Sequence, residues 1–200
     1  MHRLKDDESG FILIAVLVTL MLLVVIGFSA TSTTTVEMQI AGNDKVHKRT
    51  FYEADGGTEV GGRMIEENVS CPAGFTGTEA DGSAIINGII AVDNKSLTYW
   101  KNTTAVDPSD TSRDLFYPQD YDPDNGDPHT NITIGGTTKY LAGSAIQMIA
   151  GYEGKGKGAA AGGAYIDYDI ISQRLGDKDS TSEIQVEWRH VVGLEGDCNY

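Results

Sequence analysis

Apolar and polar positions are distributed very unevenly along this chain. Residues 11–28 read FILIAVLVTLMLLVVIGF, and Thr19 is the one polar side chain among them. As a helix this run extends roughly 27 Å, at about 1.5 Å per residue. A bilayer's hydrocarbon core is about 30 Å thick, so a transmembrane helix is predicted. Secretory signals carry shorter apolar cores of about 7–15 residues. No small-x-small cleavage pattern follows, because Phe28 spoils the nearest candidate, which ends at Ala30.

Beyond the run the pattern becomes amphipathic. Val36, Ile40, Val46, Phe51, Ala54, Val60 and Met64 form an imperfect helical stripe, with Glu37, Lys45, Lys48 and Glu59 on other faces. The helix is predicted to continue to about Asn68. Gly42 and the pairs Gly56-Gly57 and Gly61-Gly62 weaken it, each glycine costing roughly 1 kcal/mol relative to Ala. They fit either close packing against a sheet or a bend, and the sequence leaves both open.

After Asn68 the period shortens. Strand-like runs lie at 88–92, 97–101, 132–134, 139–142 and 145–150, separated by turn signals. The clearest alternation comes last. Ile166, Tyr168 and Ile170 alternate with Asp167 and Asp169; Ile184, Val186, Trp188 and Val192 alternate with Gln185, Glu187 and Arg189. Period two puts each apolar set on one sheet face. Residues 175–179, LGDKD, supply the hairpin connection. One hairpin is unstable alone and must pack on another element, here the helix. The predicted fold is α+β, a long N-terminal helix on an antiparallel sheet.

Composition narrows the function classes. The net charge is −14, from 29 acidic and 15 basic residues, which disfavours a nucleic-acid partner. Arg3 and Lys5 precede the apolar run and favour a cytoplasmic N-terminus, so the remainder should lie outside the cytoplasm. In that compartment the two cysteines, Cys71 and Cys198, default to a disulfide.

The junction MHRLKDDESG–FILIA carries a family resemblance. A short charged leader ending in Gly, then Phe, then a long apolar helix resembles a type IV prepilin. The resemblance implies a cut between Gly10 and Phe11 by a prepilin peptidase, and N-methylation of Phe11. Most pilins carry Glu at the fifth mature position; this chain has Ala15. A carboxylate in lipid needs a partner. In the family that partner is a neighbour's N-terminal amine, and Ala15 cannot supply the pair. Certain minor pilins and the K-type pseudopilin of type II secretion share this lack, which implies a position at the filament tip. Thr35, Glu37, Met38, Ala41-Gly42-Asn43-Asp44, Arg49, Phe51, Ala54 and Asp55 are similar to the segment after the anchor in PilX-type minor pilins.

The resemblance implies four parts. These are a leader at 1–10, a transmembrane part at 11–28, an amphipathic continuation at 29–68 and an extracytoplasmic β-rich headpiece at 69–200. It implies an inner-membrane protein that passes into a cell-surface pilus. Expected partners are other pilins and minor pilins, the prepilin peptidase, the inner-membrane assembly machinery and a tip adhesin. The alternatives are a type II secretion pseudopilin and a membrane-anchored binding module unrelated to pili.

Sites of chemistry are sparse. Asp120, Asp122 and Asp124 alternate in DYDPDNGD, a spacing that suits calcium or a solvated Asp/Pro turn. Asn125 stands where an EF-hand loop has Gly, and no Glu closes it. GKGKG at 154–158 lacks the GKS/T ending of a phosphate loop and reads as a flexible loop. His2, His47, His129 and His190 are scattered, with His190 on the apolar face of its strand. No nucleophile elbow or metalloprotease motif is present, so no enzyme and no required cofactor are expected. The Asn-x-Ser/Thr sequons at Asn68, Asn94, Asn102 and Asn131 read as coincidental.

Overall fold

The computed structural model describes residues 8–71, 74–75, 84–86, 88–93, 102–140, 142, 163–193 and 197–198. The expected strands at 97–101 and 145–150, the glycine-rich 154–158 loop and the Asn94 sequon lie outside these residues. The chain divides into two units, up to Lys45 and from Val46 to Tyr200.

The first unit is helical from Glu8, as the start of α1 (Glu8–Asn68). Its threonines are poor helix formers, yet each hydroxyl has a local acceptor. Thr31, Thr33, Thr34 and Thr35 donate to the carbonyls of Gly27, Ser29, Ala30 and Thr31 at 2.9–3.1 Å. Thr19 donates to the Val16 carbonyl at 2.8 Å, so the one polar group in the apolar run is satisfied without water.

In the second unit the remainder of α1 packs on a six-stranded antiparallel sheet in simple sequential order. The strands are β1 (Ala84–Ile86), β2 (Ile90–Val92), β3 (Leu115–Tyr117), β4 (His129–Tyr140), β5 (Ala164–Leu175) and β6 (Thr181–Val191). The core joins Met64 and Ile65 of α1 to Leu115, Ile132, Ile134, Ile166, Tyr168 and Ile170 of the sheet. The expected alternation holds: Ile166, Tyr168 and Ile170 of β5 are buried, and the polar residues between them are more exposed. Asp177–Asp179 turns the β5–β6 hairpin, with Lys178 and Asp179 at φ of 57° and 58°.

Two expectations change. The buried stripe of α1 follows the apolar series of the sequence only in part, at Ala54, Val60 and Met64. Val36, Ile40 and Phe51 are exposed, whereas Thr50, Ala54, Gly57, Gly61, Met64, Ile65 and Asn68 are buried. The reason is close approach. A Cβ on Gly57 would meet the Ser172 side chain, and one on Gly61 would lie 2.7 Å from Ile170 Cγ2. One on Gly62 would lie 3.0 Å from the Trp188 ring. Gly57, Gly61 and Gly62 therefore seat the helix close against the sheet, whereas Gly42 and Gly56 meet nothing within 4 Å.

The second change is in β4. The expected pieces at 132–134 and 139–142 join, through Gly135-Gly136, into one strand ending at Tyr140. Gly135 has no room for a side chain, because the Ala105 backbone lies against it. Thr103 pairs with Gly136 through N–H to O bonds of 2.8 and 3.0 Å in the two directions. Thr133 also donates to the Val106 carbonyl at 2.5 Å. The face of β4 away from the helix is thus covered by chain, and the strand is buried on both faces over its first eight residues.

Candidate functional site

The apolar part of α1 has the composition of a core and none of the cover. Every large apolar side chain between Phe11 and Phe28 is at least half exposed, with Phe11 at 76% and Phe28 at 79%. A soluble protein does not leave a continuous face of this kind in water. This is the one described helix long and apolar enough to cross a membrane. Gly10 and Phe11 both lie on the helix, and Gly10 has no neighbouring side chain within 4 Å of where a Cβ would stand. Ala15 sits inside the apolar run, and the sequence holds no acid between Glu8 and Glu37.

The segment after residue 45 does structural work on the β5–β6 hairpin. Arg49 bonds Glu53 through Nε at 2.8 Å and reaches Asp177 in the turn at 3.5 Å. The hydrogen bond and charge of Glu53, with the charge of Asp177, raise the Arg49 pKa above its ordinary value. Thr50 and Ser180 share a hydroxyl–hydroxyl bond of 2.7 Å. Arg174 of β5 is buried and its Nε lies 2.8 Å from Glu53 Oε2, a charge contact rather than an aligned hydrogen bond. Within the last turn of the helix, Glu66 accepts from Trp188 Nε1 at 2.7 Å and faces His190 Nδ1 at 2.9 Å. His190 is 2% exposed, a packed residue as the strand alternation implied.

A second polar cluster closes the other face of the sheet. His129 is buried between two acceptors, Asp127 O at 2.8 Å from Nδ1 and Asp110 Oδ1 at 2.7 Å from Nε2. Its ring stacks on Tyr121 with centroids 3.9 Å apart. Asn131 donates to Asp110 at 2.8 Å and accepts from Arg113 at 2.8 Å. Arg113 also bonds Tyr121 Oη at 2.6 Å and Asp93 at 3.1 Å, and lies over the Phe116 ring. Burial pushes the Asp110 carboxyl up, but hydrogen bonds from Asn131 and His129, with the charges of His129 and Arg113, hold it below its ordinary value. The sequence offered no sign of this cluster, since its members come from four segments brought together only by the fold.

The acidic turn of the calcium expectation borders this cluster. Asp122 caps the 3-10 turn Pro123–Asn125, its Oδ1 accepting from the Asp124 N–H at 3.0 Å. Asp127 accepts from the Asp122 N–H at 3.1 Å and from Asn125 Nδ2 at 2.9 Å. Asp120 and Asp124 are exposed. The turn is held by its own carboxylates, and among the described residues no three His, Cys, Asp or Glu side chains are grouped to hold a metal. Of the expected sequons, Asn68 and Asn131 are fully buried. Asn102 Oδ1 accepts from the Thr138 backbone and hydroxyl.

The cysteines are joined as expected: Cys71 bonds Cys198 across 127 residues, with Cα atoms 5.1 Å apart. Cys71 lies just beyond α1 and is 1% exposed.

The comparisons with known proteins bear on α1. No curated protein and no solved structure matches the chain significantly. Residues 9–59, about a quarter of the chain, match the family model of the PilX N-terminal domain. The match contains the exposed apolar run, the threonine-rich turn and the Arg49–Ala54 segment that grips the hairpin. Over residues 9–59 the chain is thus similar to the PilX N-terminal domain, a likeness that supports a type IV pilus-related minor pilin.

Proposed function

We propose that this protein is a PilX-type minor pilin that helps prime pilus assembly and sits at or near the filament tip. The observation that carries the reading is the uncovered apolar helix within the PilX N-terminal match, with Ala15 where most pilins place Glu. Burial of apolar surface supplies a strong non-directional drive for such a helix, first in lipid and then among the helices of neighbouring subunits. The N-terminal amine of a following subunit has no carboxylate at Ala15 to neutralise it. A subunit with that defect interrupts a repeating chain of pairs and suits a position that begins one.

On this reading the peptidase cuts between Gly10 and Phe11 and the new Phe11 amine is methylated. The chain waits in the inner membrane with its headpiece outside. It then enters the filament through the assembly machinery, beside other pilins and minor pilins. Its role is structural, and the headpiece presents surface to neighbouring subunits or an adhesin.

Mass spectrometry of sheared filaments tests the processing step. The expected chain begins at N-methylated Phe11; retention of residues 1–10 overturns the pilin reading. Immunogold labelling tests the position. Label confined to filament ends is expected, and label along the shaft overturns the tip assignment.

A further inference from the structure

β6 is the last strand of the sheet, and among the described residues no strand lies along its far side. The Val192 N–H donates to Ala164 O at 3.0 Å, and the Gly176 N–H donates to Ser180 O at 2.7 Å. Between these two bonds the antiparallel ladder alternates, so even-numbered residues of β6 exchange their backbone bonds with β5. The odd-numbered residues, Glu183, Gln185, Glu187 and Arg189 among them, direct N–H and C=O outward. Such an edge is a template for another strand. No proline interrupts it.

The side chains along this edge specify what can add to it. Asp169 of β5 stands directly opposite Glu187 of β6, on the face away from the helix. Both belong to a non-hydrogen-bonded pair, the kind with closer side chains, and like charges there are destabilising. On its other side Asp169 faces Gly135, which has no side chain. The charges of Lys139 and Arg189 are felt by Glu187 through space, but both cations hydrogen-bond Asp167, at 2.8 and 2.7 Å. Glu183, four residues earlier on the same face, accepts a long hydrogen bond from the amide of Gln173 at 3.4 Å. A second copy would bring the same acidic surface to this edge, on a chain of net charge −14.

We propose that the outer edge of β6, unpaired among the described residues, is a docking site for an extended strand of a partner protein that carries Lys or Arg opposite Glu187 and Glu183. The strand adds to the sheet by main-chain hydrogen bonds, and its cations compensate the Asp169–Glu187 pair. The proposal places one partner contact of the minor pilin above, but its test does not depend on that assignment, which the N-terminal mass decides separately.

The test uses the full chain in detergent and a synthetic peptide, acetyl-Thr-Val-Lys-Val-Thr-Val-Lys-Val-Thr-amide, whose lysines match the Glu183–Glu187 spacing. Binding is followed by fluorescence anisotropy of the labelled peptide. Gln185→Pro removes an outward N–H and leaves the β5 ladder intact, because proline is tolerated where the N–H faces away from the sheet. It is expected to weaken binding by about tenfold or more, the scale of losing a main-chain hydrogen bond and blocking the approach. Glu187→Lys is expected to lose the lysine peptide and gain the same peptide with Glu in place of Lys. Where Gln185→Pro fails to fold, a second peptide keeps the test decisive. The lysine peptide N-methylated at the alternate backbone nitrogens that face β6, those of its lysines and central threonine, keeps both charges but cannot pair through those N–H groups. It is expected to bind the parent chain at least about tenfold more weakly, and equal affinity overturns the proposal. Equal affinity for folded Gln185→Pro and the parent chain overturns the proposal and reduces the binding to charge attraction. Absence of binding by the parent chain also overturns it.

Discussion

Asp114 occupies a place that is unfavourable for a carboxylate. Burial pushes its pKa up, the Ile134 N–H at 2.7 Å pulls against that, and the charge of Asp93 adds to the rise. A carboxyl whose pKa is higher folded than unfolded holds its proton more tightly in the native state. Its contribution to stability is present at low pH and is lost as pH rises through the folded pKa. Asp114→Asn retains an oxygen for the Ile134 N–H and removes the charge. It is expected to raise the melting temperature at pH 7 relative to its effect at pH 4, as read by thermal unfolding at both. Asp167 has the opposite sign. The hydrogen bond from Arg189 outweighs desolvation and, with Lys139, holds its pKa below the ordinary value. Its contribution is present above the unfolded pKa of about 4 and fades as pH falls further. Asp167→Asn is expected to flatten the loss of stability below pH 4. At this scale the sequence was legible only where alternation speaks. It put His190 on the buried face, but nothing local linked Asp110, Arg113, His129 and Asn131. Side chains that meet across 18 to 21 residues leave no periodic trace.

Elements were more legible than residues, and unevenly so. β5 and β6 show a clean period of two because one face is packed and the other wet. β4 reads as fragments because it is covered on both faces and carries Gly135-Gly136, where a strand would otherwise carry branched residues. β1 and β3 are three residues each, too short for any period to register. The continuation of α1 to Asn68 was legible, but its buried stripe only in part, at Ala54, Val60 and Met64, since glycine and threonine carry no hydrophobic signal. The stripe makes a sharp prediction. Gly61→Ala places a methyl against Ile170 and is expected to lower stability by about 1–3 kcal/mol, the usual cost of overpacking. Gly56→Ala meets nothing within 4 Å. It is expected to add up to about 1 kcal/mol through helix propensity. Denaturant midpoints of the two variants should therefore move in opposite directions.

For the molecule as a whole, the order of the sheet and the disulfide matter most. Each strand pairs with its sequence neighbour, so the fold is assembled largely from local pairings. The helix closes on the last hairpin through side chains such as Thr50–Ser180 and Glu66–Trp188, and Cys71–Cys198 adds a covalent closure of similar span. In the chain-entropy view a loop of this length contributes roughly 4–5 kcal/mol, before native strain and residual unfolded structure subtract from it. Replacing both cysteines by serine is expected to lower the melting temperature measurably while the far-ultraviolet signature of helix and sheet persists. Two thiols open to alkylation without reduction would contradict the bridge.

That bridge also fixes how a load passes through the protein. Cys71 follows α1 directly, and Cys198 is two residues from the final Tyr200. Tension applied between the two ends of the chain is handed from the helix to the sulfurs, bypassing the sheet. The sheet becomes a slack loop in parallel with a covalent short circuit. Stretched under oxidising conditions, the chain can yield only the residues outside the loop. After reduction it can release a further 127 residues, about 440 Å of contour at roughly 3.5 Å each. An anchored subunit gripped at its two termini would in this way resist a pull without relying on the stability of its own fold.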